Sequence, residues 1–134
     1  MILVDTGPLV ALVDKDDQYH AQCLVVWRAL NEPIGTVWPV VSETMHLLTG
    51  LPRAQQGVWE MVERGALALL PLGVSDVRRI GELMAKYADQ PMDLADAALI
   101  HLAEREGIRK IFTVDKKDFA VYRLHGRTRP ILLP

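Results

Sequence analysis

Cysteine is nearly absent from this chain, since Cys23 is the only one among 134 residues. A single thiol excludes a scaffold built on disulfides and a zinc site made of cysteines. The four histidines have no mutual spacing typical of zinc ligands. Glycine-rich phosphate loops of the Gly-x-Gly-x-x-Gly or Gly-x-x-x-x-Gly-Lys type are also missing, so nothing indicates a nucleotide cofactor. The chemistry must therefore come from other side chains.

Long apolar runs and a basic leader are absent as well. No apolar stretch approaches the roughly 20 residues that a membrane span requires. The first four residues lead directly to the carboxylate of Asp5, without the basic and apolar regions of a signal peptide. Together with the lone cysteine, these absences predict a cytoplasmic protein with no membrane association.

The composition is that of one globular domain, predicted to span residues 1–134. Half of the residues are apolar, which is enough to bury a core, and the net charge is −2. The charge is unevenly distributed, because residues 105–129 carry eight basic and three acidic side chains. This basic segment either contacts a phosphate backbone beside a functional site or forms a solvated surface.

Short apolar runs alternate with longer segments of helical periodicity. This alternation predicts an α/β fold with a mainly parallel sheet, in which ligands bind at the carboxyl ends of the strands. Asp16 or Asp17, Ser75 and Asp93 are expected to cap helices, and Gly107 to end one. Strands are predicted at 1–4, 34–37, 66–72, 110–114 and 131–133, and helices from residue 6, from 16 or 17 to 30, and at 38–49, 53–63, 75–88 and 93–105.

Five carboxylates occur where such a fold would gather them. Asp5 and Asp115 each follow a predicted strand directly, and Asp93 and Asp96 share one face of the first turn of a helix. Glu43 lies in an apolar stretch that favours an inward orientation. Carboxylates that converge repel one another unless a cation lies between them. Oxygen ligands suit Mg²⁺ or Mn²⁺, and such sites support phosphodiester hydrolysis.

Each acid also has a purely structural interpretation. Asp93 would serve only as a helix cap, and Asp96 would complement the helix dipole. Asp5 and Asp115 would form turns, and Glu43 would be a solvated helix residue. No single acid decides between the two interpretations, but two acids at strand ends within the same ordered set are less expected by chance.

The acids lie in short motifs that follow one another along the chain: Val4-Asp5-Thr6, Ser42-Glu43-Thr44, Asp93-Leu94-Ala95-Asp96-Ala97 and Thr113-Val114-Asp115-Lys116-Lys117-Asp118-Phe119. With these motifs the sequence resembles the PIN domain family and, within it, the VapC-type toxin ribonucleases. The resemblance covers essentially the whole chain and implies a three-layer α/β/α sandwich and a metal-dependent endoribonuclease. It also implies a homodimer and an antitoxin protein that covers the active site.

The resemblance also assigns roles to individual residues. Asp5, Asp96 and Asp115 would hold one Mg²⁺ or Mn²⁺, and Glu43 would complete its ligand shell or orient the attacking water. Thr6 and Thr113 match polar positions that support these four acids. Asp93 matches an acid that only some members have. It would either bind a second metal ion or support the residues that bind the first. Asp118 is expected to cap the following turn rather than to act in catalysis.

Two functions remain open on the sequence alone. The first is an RNA-cleaving toxin of a toxin–antitoxin pair, and the second is a catalytically silent PIN domain that serves as a binding or assembly module. The presence of all four acids favours the enzyme. Among the other residues considered, His46 is expected to have a surface or packing role, and Cys23, Trp27, Trp38 and Trp59 to lie in the core or at an interface.

Overall fold

The central sheet has five strands, and every neighbouring pair runs parallel. The computed structural model describes residues 1–134. The strand order is β3-β2-β1-β4-β5, with β1 in the middle. The strands are β1 (Ile2–Val4), β2 (Ile34–Thr36), β3 (Ala68–Leu69), β4 (Lys110–Phe112) and β5 (Ile131–Leu133).

Seven helices connect and flank these strands, so the predicted α/β/α sandwich is confirmed. Every strand-to-strand connection contains at least one helix, as parallel pairing requires. The helices are α1 (Thr6–Val13), α2 (His20–Ala29), α3 (Trp38–Leu47), α4 (Pro52–Glu63), α5 (Val74–Lys86), α6 (Leu94–Glu106) and α7 (Lys116–Phe119). None of them is long and apolar enough to cross a membrane.

Several predicted boundaries are wrong, and local hydrogen bonds explain why. Gly73 rather than Ser75 is the cap of α5, because its backbone N–H donates to the Asp76 carboxylate at 2.8 Å. Asp17 does not cap α2, because its side chain accepts from the Tyr19 N–H in a turn that precedes the helix. The predicted strand at 66–72 shrinks to two residues at the sheet edge. The short helix α7 was not predicted.

Helix α6 is the most deeply buried helix, and two of the acids lie at its amino end. Its burial therefore fixes their position. Ala97, Ala98 and Ala103 let it approach its neighbours closely, and all three are buried. Asp93 caps its amino end and Gly107 caps its carboxyl end, as predicted. Gly107 has φ +67°, the left-handed conformation that glycine adopts most easily.

Charged side chains join α5 to α6 along their length. Asp76 accepts a hydrogen bond from His101 Nε2 at 2.7 Å and from Arg105 at 3.1 Å. Arg79 donates to both carboxylate oxygens of Glu104, at 2.9 and 3.0 Å. The Asp76 side chain is nearly buried, and its partners hold its pKa well below the usual range, with the His101 hydrogen bond as the largest cause. These contacts orient α6, and with it the two acids at its amino end.

Candidate metal and catalytic site

Asp5 lies at the carboxyl end of the central strand and is almost fully buried, with 7% of its surface exposed. In the parallel pairing of β1 with β4, Val4 lies opposite Phe112. The residues that follow them, Asp5 and Thr113, therefore also lie close together. The Thr113 hydroxyl donates to Asp5 Oδ2 at 2.9 Å and accepts from the Asp115 N–H at 3.0 Å. One threonine thus connects the two acids that follow these strands.

Asp93 and Asp96 lie at the amino end of α6. Asp93 is the helix cap, and its Oδ1 accepts from the Asp96 N–H at 2.9 Å. The structural interpretation of Asp93 is therefore correct, and it is compatible with a further role because Asp93 also faces the other acids. Asp96 Oδ2 accepts a hydrogen bond from the Tyr122 hydroxyl at 2.9 Å.

Glu43 reaches the same place from α3. Burial raises the pKa of its carboxyl group to about 7, and the neighbouring Asp93 and Asp5 carboxylates add to this shift. The nearby Thr6 hydroxyl lowers the pKa of Glu43, but its Oγ1 is buried without a hydrogen bond of good geometry. Thr6 therefore leaves a buried polar atom in need of a partner beside the acids.

One cavity of about 270 Å³ contains every acid that the sequence analysis selected. Asp118 also lines this cavity. Burial raises the pKa of Asp115, and the neighbouring Asp118 carboxylate raises it further. The lining residues are Asp5, Thr6, Gly7, Glu43, Leu47, Pro91, Asp93, Asp96, Val114, Asp115 and Asp118. Of the two supporting threonines, Thr6 lines the cavity. Thr113 does not line it, but its hydroxyl donates to the Asp5 carboxylate. The fold therefore gathers acids from four separate parts of the chain.

The acids raise one another's pKa. Burial, followed by the charges of Asp5 and Asp93, raises the pKa of Asp96 to about 8, against the effect of the Tyr122 hydrogen bond. Burial also raises the pKa of Asp5 to about 6, against hydrogen bonds from Thr113 and the Thr6 backbone. A cavity of this kind holds protons at neutral pH when no cation is bound.

The donor set fits a hard divalent cation in kind. It consists of carboxylates with neighbouring hydroxyl groups, and it contains no thiol or imidazole. The side chains do not already surround one point, because no three acidic, histidine or cysteine side chains are placed to hold an ion. The Thr113 and Tyr122 hydroxyls each hold one oxygen, of Asp5 and of Asp96 respectively. A cation would replace the bound protons as the source of positive charge among the acids.

The basic segment 105–129 does not lie in one place. Arg109 and Lys110 are at the amino end of β4, opposite the acidic cavity, where Lys110 pairs with Glu32. Only the part around Lys116 and Lys117 lies beside the cavity, directly after Asp115. The basic segment as a whole therefore does not form one surface beside the acidic cavity.

The histidine and tryptophan predictions have mixed outcomes. His46 lines a second cavity of about 400 Å³, which shares Glu43 and Asp93 with the acidic one. Trp38 is 55% exposed, so it is not a core residue, and Trp59 packs against it with ring centroids 6.3 Å apart. Cys23 is buried as expected.

Sequence reasoning missed Tyr122, which donates to one of the candidate acids. Tyr122 lies among apolar residues after α7, where its aromatic ring predicts a core position. The ring is indeed buried. Its separation of 26 residues from Asp96 gives no periodic signal, so only the folded chain shows the contact.

The raised pKa values predict that the metal-free protein loses stability as pH rises. Asp96 and Asp5 have a higher pKa in the folded state than in the unfolded chain, so the folded state binds more protons between about pH 4 and pH 8. With EDTA present, the midpoint of thermal unfolding should fall over this range. Asp96→Asn should flatten the curve near its upper end, and an unchanged slope in this variant would contradict the assignment.

The comparisons in sequence place this chain among known proteins. The family model described as PIN domain matches residues 2–124. The protein named Ribonuclease VapC26 from Mycobacterium tuberculosis is 28% identical over 136 residues. This alignment covers 99% of this chain and 100% of that protein.

Solved structures share the fold. VapC20 of Mycobacterium tuberculosis, described as a toxin that cleaves the sarcin-ricin loop, superposes with a TM-score of 0.80 at 19% identity, over 87% of this chain and 91% of that one. A toxin–antitoxin complex from Klebsiella pneumoniae gives 0.69 at 17% identity, over 90% and 92% of the two chains. VapBC2 from Rickettsia felis, bound to a DNA fragment from its promoter, gives 0.67 at 17% identity, over 99% and 98%. Because the family model spans nearly all of the sequence, the chain belongs to the PIN domain family.

Proposed function

We propose that this protein is an Mg²⁺- or Mn²⁺-dependent endoribonuclease and the toxin of a toxin–antitoxin pair. The observation that carries the proposal is the cavity that gathers Asp5, Glu43, Asp96 and Asp115 at the carboxyl edge of a PIN-domain sheet. A relative that aligns along its full length is named a ribonuclease. Applied to this chain, the relative's name implies that the substrate is RNA and that the reaction is hydrolysis.

The acids divide into a group that holds the ion and a group that handles protons. Asp5, Asp96 and Asp115 are the ligands that we assign, with Asp93 as a further ligand or a support. When bound, the ion stabilises the negative charge that develops on the phosphate and lowers the pKa of water. Thr113 keeps Asp5 oriented and ties it to Asp115 through a hydroxyl group that carries no charge.

Glu43 is the residue that we assign to proton transfer. Burial and the neighbouring Asp93 raise its pKa towards the working pH, where a general base is most effective. Its carboxyl group lies at the junction between the acidic cavity and the second cavity lined by His46. From there it can accept a proton from the attacking water and hold it away from the phosphate.

The partners of the proposed toxin follow from the same site. The RNA backbone would reach the acids past Lys116 and Lys117, whose positive charges lie beside an otherwise negative cavity. An antitoxin would inhibit by covering this cavity, in line with the toxin–antitoxin complex from Klebsiella pneumoniae that shares the fold. We also propose a homodimer, for which the exposed apolar side chains Val74, Val77 and Trp38 offer surface.

Replacing single acids should abolish cleavage without unfolding the protein. We expect Asp5→Asn and Asp96→Asn each to slow the cleavage of a single-stranded RNA by about 100-fold or more, a magnitude typical of lost charge-stabilising groups. Both substitutions keep the size of the side chain and remove its charge. The measurement is the initial rate on a fluorescent RNA with Mn²⁺ present.

The matched control is Glu63→Gln, which removes one negative charge at the end of α4, outside the cavity. This variant should cleave at the parent rate. If the Asp5 and Asp96 variants also cleave at the parent rate, the site assignment is wrong. If the parent itself cleaves no RNA with either ion, the chain is a binding module rather than an enzyme.

Lys117 should contribute to RNA binding through a phosphate contact. It is exposed beside the cavity, and no acidic side chain pairs with it. Lys117→Ala should weaken RNA binding and reduce the slope of log affinity against log salt by about 1. The control is Arg109→Ala at the opposite edge of the sheet, which should leave the slope unchanged. Equal effects of the two variants, measured by fluorescence anisotropy, would contradict a local contact.

A further inference from the structure

Tyr122 places a buried hydroxyl group directly on one of the candidate ligands. Its residue surface is 0% exposed, and its hydroxyl donates to Asp96 Oδ2 at 2.9 Å. The ring is held edge-on by two other aromatic rings, Tyr87 and Phe119, with centroids 5.2 and 5.1 Å away. The hydroxyl group therefore has little freedom to leave the acid.

Asp96 is fixed from two sides, and this leaves one carboxylate oxygen free. Its backbone N–H is bound by the Asp93 side chain, and its Oδ2 is bound by Tyr122. No donor in the protein binds its Oδ1. Asp5 is held in a similar way, since the Thr113 hydroxyl binds one of its oxygens, Oδ2. Each of the two acids thus has one oxygen held by a neutral hydroxyl group, and Asp96 Oδ1 is left for another partner.

We propose that Tyr122 is a positioning residue that holds the Asp96 carboxylate in the orientation required to bind the divalent cation. The inference rests on the proposed function, because it assumes that the cavity takes up a cation. A hydroxyl donor is suited to this task, since it fixes an oxygen without adding a positive charge that would compete with the ion. Partners of this kind strengthen a metal site by orienting its ligands.

Packing alone does not account for the hydroxyl group. A phenylalanine would preserve both edge-on ring contacts and the buried apolar surface. A buried hydroxyl costs stability unless it has a partner, and the one that Tyr122 has is Asp96. Tyr87 provides the contrast within the same cluster, because its hydroxyl accepts from the Arg123 backbone N–H at 3.0 Å and touches none of the acids.

The test compares Tyr122→Phe with the matched control Tyr87→Phe. Both variants remove one buried tyrosine hydroxyl from the same aromatic cluster. Mn²⁺ binding to the full chain is measured by isothermal titration calorimetry, and the thermal midpoint is measured separately with EDTA. We expect Tyr122→Phe to weaken Mn²⁺ binding by about 10- to 100-fold. Tyr87→Phe should bind Mn²⁺ like the parent, even if its thermal midpoint falls by as much as that of Tyr122→Phe.

A second readout separates positioning from general damage. If Tyr122 orients a ligand, RNA cleavage by Tyr122→Phe should recover towards the parent rate as Mn²⁺ is raised well above the weakened dissociation constant. Parent-like Mn²⁺ binding in Tyr122→Phe would overturn the inference, as would an equal loss of affinity in Tyr87→Phe.

Asp96→Asn distinguishes failure of this inference from failure of the proposed function. If Asp96→Asn loses Mn²⁺ binding while Tyr122→Phe binds like the parent, the cavity is a metal site and Tyr122 has no part in it. If Asp96→Asn binds Mn²⁺ like the parent, both the site and the role of Tyr122 are wrong.

Discussion

The burial of the Asp5 carboxyl group at the end of the central strand is the constraint on which the rest of the site depends. A carboxylate there is costly, as its raised pKa shows, and the fold places Asp93 and Asp115 close enough to increase the cost. Hydrogen bonds from the Thr6 backbone and the Thr113 hydroxyl offset part of it. A protein that kept this arrangement only for stability would do better with apolar side chains, so the strain indicates a function that uses negative charge.

The architecture explains how distant acids reach one cavity. Parallel strands end at the same edge, which brings Asp5 beside Thr113 and Asp115. The buried helix α6 delivers Asp93 and Asp96 to that edge, and its orientation is set by the charged contacts between α5 and α6. Apolar packing thus places the sheet edge, and buried charged contacts orient the helix that bears two of the acids.

Much of this could be predicted from the sequence, and the exceptions have physical reasons. Asp5 follows β1 directly and Asp115 lies three residues beyond the end of β4, so the shared carboxyl edge of parallel strands predicts their proximity. Boundaries failed where one local hydrogen bond prevailed over another local signal, as when the bond from the Gly73 N–H to Asp76 made Gly73 rather than Ser75 the cap of α5. Tyr122 was missed because a buried aromatic residue looks the same in sequence whether or not its hydroxyl group meets an acid.

The central claim is that the acidic cavity takes up a divalent cation, and anomalous diffraction from crystals soaked in Mn²⁺ tests it most directly. The account predicts an anomalous peak inside the cavity, within ligand distance of the Asp5 and Asp96 carboxylates. Asp96 should keep its hydrogen bond to Tyr122 and direct its free oxygen, Oδ1, towards the peak. A fully soaked crystal whose cavity shows no peak, or whose only Mn²⁺ lies elsewhere on the surface, would contradict the account.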